Sequence, residues 1–164
     1  MKVIFLDVDG VLNNPNTMSR SPDGWVGVST SLVKRLKLII SETGAKTVLT
    51  STWKHASVRD ISFLYQKLGS AKPIDRTYDP EDKDCLRGEG IKSYLNSHDV
   101  EEFVILDDFT FDFQKQGLSQ HLVWVVEGLT DNDVDRAIKI LNGDLIGDSS
   151  VVYSSSNSEW GYHR

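Results

Sequence analysis

Asp7 and Asp9 stand two residues apart at the end of an apolar run, and Gly10 follows at once. Alternate side chains of an extended chain share a face, so both carboxylates can converge on one pocket where the chain curls out of a strand, and a glycine permits that curl. Two anionic groups so close raise the proton affinity of one of them unless a cation or a shared proton compensates. Hard oxygen donors at this spacing suit Mg²⁺, which takes one or two carboxylates, keeps several waters and accepts a substrate phosphate. One carboxylate can then attack phosphorus while the other, acting as an acid, protonates the leaving oxygen. A D-x-D after a strand is also a common polar loop entry, so the chemistry depends on what else the chain brings to the same place.

Residues 102–108, Glu-Phe-Val-Ile-Leu-Asp-Asp, repeat that grammar, an apolar strand ending in Asp107 and Asp108. Parallel strands deliver their ends to one edge, the edge where open α/β folds place their sites. Four acids there are hard to tolerate without a metal, because unpaired charge in partly buried surroundings is costly. The hydroxyls Thr50-Ser51-Thr52 follow another short apolar run, Lys46 to Leu49. Such clusters usually bind nearby backbone, but at the same edge Thr50 would face the aspartates and can donate to a phosphate oxygen. Arg87 opens a helical pattern, where the helix dipole disfavours a cation. A guanidinium there can instead bridge a phosphate and a carboxylate, or it is simply solvated. Lys92, one turn further on, competes for that role.

The elements that must position these groups follow from periodicity. Leu32, Leu36, Ile39 and Ile40 recur at helical spacing, with Ser29 or Thr30 as cap and Gly44 as terminator. Ile61, Leu64, Tyr65 and Leu68 predict a second helix begun at Ser57 or Ala56 and stopped at Gly69. A short strand is expected over residues 71–74, weakened by Pro73, then a charged loop over residues 76–86. Ile91, Tyr94 and Leu95 carry the third helix. Residues 121–126 read as a fifth strand buried on both faces, with His121 at its amino end and structural. Thr130 caps a last helix over residues 131–141. Residues 13–25, dense in turn formers, predict a loop or short hairpin flap over the mouth of the first strand.

A helix between each pair of strands favours right-handed crossovers and a parallel sheet. The expected fold is therefore α/β, with a mostly parallel central sheet in a single domain over residues 1–142 and a serine-rich tail over residues 143–164. The formal net charge of −6 argues against a broad electrostatic nucleic-acid surface. Cys85 is the sole cysteine, so no internal disulfide forms and a reducing compartment is expected. The apolar stretch before Asp7 is too short for a signal-peptide core, and no run approaches the roughly 20 residues of a membrane span. A soluble, cytoplasmic protein with no membrane partner is expected, and its oligomeric state is not legible.

The order DVDGV, TVLTS, Arg87 at a helix start, then VILDD resembles the haloacid dehalogenase superfamily of Mg²⁺-dependent phosphatases and phosphotransferases. The resemblance runs from Lys2 to about Leu141. TSTWK and the later GLT-then-helix pattern look most like the haloacid dehalogenase domain of multi-enzyme RNA repair proteins. It implies a Rossmann-like three-layer sandwich, with Asp7 as the nucleophile that forms an aspartyl-phosphate and Asp9 as the general acid that later activates water. It places Thr50, Ser51 and Arg87 around the phosphate, although the family more often has a lysine where Arg87 stands. It gives Mg²⁺ to Asp7, the backbone carbonyl of Asp9, and Asp107, with Asp108 in support. Asp9 also argues for phosphoryl rather than halide chemistry.

Neither the stretch from Asp9 to Thr50 nor that from Thr50 to Arg87 has room for a large cap domain. An open site suits a phosphorylated substrate as bulky as a nucleic-acid end and leaves room for a nucleotide. The competing expectation is a module of the same fold that binds phosphate or metal without turnover, of which a phosphate-acceptor signalling domain is one form.

Overall fold

β-Branched and aromatic residues in near-continuous runs favour strands buried on both faces. In the computed structural model, which describes residues 1–80 and 84–145, the first such run forms β1 (Lys2–Leu6) at the centre of a five-stranded sheet. Beside it lie β2 (Lys46–Leu49) and β4 (Glu102–Asp107), with β3 (Asp75–Arg76) outside β2 and β5 (Leu122–Trp124) outside β4. Every pairing is parallel, and Leu6 is in register with Leu49 on one side and Leu106 on the other. The strands therefore end level with one another, and the residues that follow them meet at one edge.

Parallel neighbours require crossovers, and helices supply them. α1 (Thr30–Thr43) links β1 to β2, α2 (Val58–Leu68) leads toward β3, α3 (Arg87–Ser97) precedes β4, and α4 (Asp131–Leu141) follows β5. Alternation along the strands splits the core in two. Ile4, Leu6, Val104 and Leu106 pack with Leu36 and Ile39 of α1, Leu64 of α2 and Val134 and Ala137 of α4. Val3, Phe5 and Ile105 pack on the other face with Ile91 and Tyr94 of α3. The result is the three-layer α/β sandwich the sequence implies, without a large cap among the described residues.

Local signals explain most helix ends. Gly44 takes a left-handed φ of 73° and returns its N–H to Ile40. Ser57 accepts from the Asp60 N–H, and Thr130 with Asp133 forms a reciprocal capping box. Ser29 occupies the cap position of α1 without a side-chain capping bond.

Two strands depart from expectation. Residues 71–74 do not form one: Gly69–Ala71 is a 3-10 turn, and the pairing starts only at Asp75, past Pro73, whose ring removes a donor. Arg76, expected in a loop, lies in that strand. The fifth strand is shorter than residues 121–126. His121 belongs to a 3-10 turn, its ring stacked on Phe103 at 3.8 Å, and beyond Val125 the chain is turned by Glu127 and Gly128 at φ 56° and 101°. The expected tail lies outside the described residues from position 146 onward. No helix among the described residues is long and apolar enough to cross a membrane.

Candidate active site

The sheet register carries the two acidic motifs to one point. The Asp7 N–H donates to the Leu106 carbonyl at 3.0 Å, and the Thr50 N–H donates to the Leu6 carbonyl at 2.9 Å. Asp7 is thereby held beside Asp107 on one flank and Thr50 on the other, and all three are fully buried.

Carboxylate oxygens of Asp7, Asp107 and Asp108 lie within 4.8 Å of one another. Three hard oxygen donors this close, two of them from fully buried residues, fit an oxygen-seeking divalent cation such as Mg²⁺. Gly10 makes room for the third. Its φ is 80°, and a Cβ at that position would run into the Asp108 carboxylate. The loop after the first motif and the second aspartate of the last motif therefore fit together only because residue 10 has no side chain.

Arg87 enters the same cluster from the first turn of α3. Its Nη1 stands 2.8 Å from Asp107 Oδ2 and 3.2 Å from Asp7 Oδ1, and its guanidinium lies 4.2 Å from the centre of the Phe111 ring. The side chain is fully buried, whereas Lys92 is exposed on the same helix. Arg87, and not Lys92, is the cation gathered with the carboxylates. One guanidinium among Asp7, Asp107 and Asp108 leaves formal negative charge for a bound cation to offset.

Asp9 sits apart from that trio. Its carboxylate is half-buried, and its Oδ1 accepts from Asn13 Nδ2 at 2.9 Å and from Trp53 Nε1 at 3.3 Å. The two aspartates of the first motif therefore face different partners. Asp7 lies in the trio with Arg87, and Asp9 lies under the flap.

Thr50 and Ser51 differ in kind. The Thr50 hydroxyl is buried with no hydrogen-bond partner among the described residues, an unusual state for such a group. Ser51 Oγ accepts from the Trp53 N–H at 3.2 Å, capping the 3-10 turn Thr52–His55. Its hydroxyl thus has a structural task.

Residues that the sequence reading did not single out complete the surroundings. Asn13 bonds the Gly10 N–H, Asp9 and the Gly27 carbonyl at once. Asp112 accepts from the Gly88 and Glu89 N–H groups, so a carboxylate from another loop caps α3 just beyond Arg87. Lys54 is buried against Asp79 at 2.5 Å and reaches Thr77 at 3.3 Å, bracing the turn after Thr50 against the segment between β3 and α3. Trp25 of the flap, joined by the Arg20–Val26 bridge, meets Trp53 edge-on at 5.0 Å between ring centres. Local sequence carried no signal for Asp112, whose partners are 24 and 23 residues away. Asn13 had one, as an amide four residues after Asp9 in a turn.

A family model described as the HAD domain in Swiss Army Knife RNA repair proteins matches residues 3–134. No curated protein matches the chain.

Proposed function

The chain belongs to the family of HAD domains in Swiss Army Knife RNA repair proteins, which points to a hydrolase of the HAD kind, and on that premise we propose that it is a Mg²⁺-dependent phosphomonoesterase working through phospho-Asp7. The observation that carries this reading is the buried meeting of Asp7, Asp107 and Asp108 with Arg87, with Asp9 two residues beyond the nucleophile.

In this reading an Asp7 carboxylate oxygen attacks phosphorus, the bond from phosphorus to the leaving oxygen breaks, and Asp9 gives its proton to that oxygen, releasing an alcohol. The product on the protein is an acyl phosphate at Asp7. Water then attacks its phosphorus while Asp9 takes a proton from the water, so that inorganic phosphate leaves and the Asp7 carboxylate is restored. Arg87 and the Thr50 hydroxyl donate to the phosphoryl oxygens, which gain charge as the bond breaks. Asp7, Asp107 and Asp108, with the Asp9 backbone carbonyl, are the groups that would hold Mg²⁺. When bound, that ion supplies charge neutralisation and polarises the phosphoryl group.

The substrate we propose is a phosphorylated nucleic-acid end or a nucleotide. Support comes from the family's RNA repair setting and from the lack of a large cap among the described residues. The test is phosphate release from 3′- and 5′-phosphorylated oligonucleotides, mononucleotides and sugar phosphates, by wild type and Asp7→Asn, with Mg²⁺ or with chelator. Mg²⁺-dependent release from oligonucleotide ends, lost in Asp7→Asn, supports the reading. Exclusive turnover of a small sugar phosphate overturns the substrate class. No turnover at all would favour the module that binds without reacting.

A further inference from the structure

One oxygen of the Asp9 carboxylate is held by two side-chain donors. Oδ1 accepts one N–H from the Asn13 amide at 2.9 Å and another from the Trp53 indole at 3.3 Å. Neither donor is loosely placed. Trp53 is fully buried, its backbone N–H donates to Ser51 Oγ, and its ring is met edge-on by Trp25. Asn13 is almost fully buried, and its remaining polar contacts, to the Gly10 N–H at 2.8 Å and the Gly27 carbonyl at 2.9 Å, fix which end of the amide faces Asp9.

An indole has only a hydrogen to give, and the amide nitrogen of Asn13 is likewise a donor. We infer that Trp53 and Asn13 are positioning residues for the proposed phosphatase reaction: by binding Asp9 Oδ1 they fix the rotation of its carboxyl group and so the direction in which it meets the leaving oxygen. Trp53 belongs to the turn that directly follows Thr50 and Ser51, so the phosphate-binding segment and the acid are aligned by one rigid side chain. The flap reaches the same group through Trp25.

This inference rests on the phosphomonoesterase reading, and its test separates the two. A misplaced acid harms esters with poor leaving groups, whose oxygen must be protonated as the bond breaks, far more than activated aryl esters, whose phenolate leaves unaided. Wild type, Trp53→Phe, Asn13→Asp and Asp9→Asn are assayed as the full chain, with Mg²⁺, on an alkyl phosphate and on 4-nitrophenyl phosphate. Trp53→Phe removes only the indole donor from an aromatic core position, and Asn13→Asp keeps the acceptor for Gly10 while losing the donor to Asp9.

A positioned acid contributes roughly 10²–10⁴ in rate. Both variants are therefore expected to lose about tenfold or more in kcat on the alkyl ester and a clearly smaller factor on the aryl ester, in the same direction as Asp9→Asn. Equal losses on both esters, with wild type active on each, overturn the positioning role and leave the phosphatase reading intact. Wild type inactive on both esters overturns the two together. A second measurement needs neither Trp53 nor Asn13 to be replaced: the indole N–H resonance of Trp53 should move in Asp9→Asn, where a carboxylate acceptor becomes an amide, while that of Trp124, bonded to the Asp108 carbonyl, stays. An unmoved Trp53 resonance overturns the inference.

Discussion

Arg87 Nη1 and Asp107 Oδ2 meet at 2.8 Å with both side chains wholly out of solvent. The pair joins the start of α3 to the end of β4, and Asp7 shares the same guanidinium nitrogen at 3.2 Å. Removing one member of a buried ion pair strands the other, at a cost of about 3–5 kcal/mol.

Arg87→Met should therefore unfold at lower temperature in chelator than wild type, and Mg²⁺ should restore more stability to the variant than to wild type. The reason is charge: the guanidinium pairs with Asp7 and Asp107, and in its absence a bound cation carries more of that compensation. Activity should fall about 10²–10³-fold even where the fold is restored, the usual loss on deleting a donor to a developing anion. Thermal melts across a Mg²⁺ titration, followed by initial rates, check both parts.

Gly10→Ala should weaken Mg²⁺ binding as well as the fold. The new methyl group would occupy the place of the Asp108 carboxylate, and the left-handed φ of 80° strains any residue with a Cβ. Calorimetric titration of Mg²⁺ reads the first effect. Affinity equal to wild type would mean that Asp108 does not need the space.

Asp112→Asn should cost less than Asp112→Ala, for which a loss of about 1 kcal/mol is typical at a helix cap. The Gly88 and Glu89 N–H groups donate to the two oxygens of the carboxylate; asparagine keeps one such acceptor and alanine keeps none. Because the cap lies next to Arg87, alanine should also raise KM for the phosphorylated substrate. Urea denaturation together with steady-state kinetics distinguishes this from a purely structural cap, which leaves KM alone.

Acidification should loosen the flap only at low pH. Bonds from Ser57 and then from Arg59, whose Nη2 lies 2.8 Å from Asp23 Oδ1, hold the Asp23 carboxyl below the ordinary carboxylate range. A group with a depressed folded pKa contributes stability that is fully present above its unfolded value and is lost as pH falls through the folded one. Flap resonances such as the Trp25 indole should therefore shift only at pH values below the usual carboxylate titration. Arg59→Gln should move that transition to higher pH.

The site's long-range geometry was legible in the sequence because parallel strands must end at one edge. That rule brought Asp7, Thr50 and Asp107 together from three separate apolar runs. What escaped was whatever depends on backbone pairing without burial. Both residues of β3 are exposed and charged, so no hydrophobic period marked them, and their pairing partners Val48 and Leu49 are what make them a strand. The outer end of the fifth strand failed for a related reason: Val126 is apolar but exposed, past the point where the chain turns away. Asp112 and Lys54 were invisible as site neighbours because a polar side chain in a turn announces a turn, not the distant N–H or carboxylate it will bind. Trp53, an aromatic after a hydroxyl cluster, carried no site signal of its own, and it is fully buried. Its indole N–H on Asp9 is a property of the fold.

The central claim is a covalent bond between phosphorus and Asp7. Brief reaction of the full chain with a phosphorylated oligonucleotide and Mg²⁺, acid quench, borohydride reduction and peptide mass spectrometry test it most directly. The account predicts homoserine in place of aspartate at position 7, with Asp9, Asp107 and Asp108 unmodified and no such product in chelator. Phosphate release at an undiminished rate by Asp7→Asn, or reduction at another carboxylate instead, would contradict it.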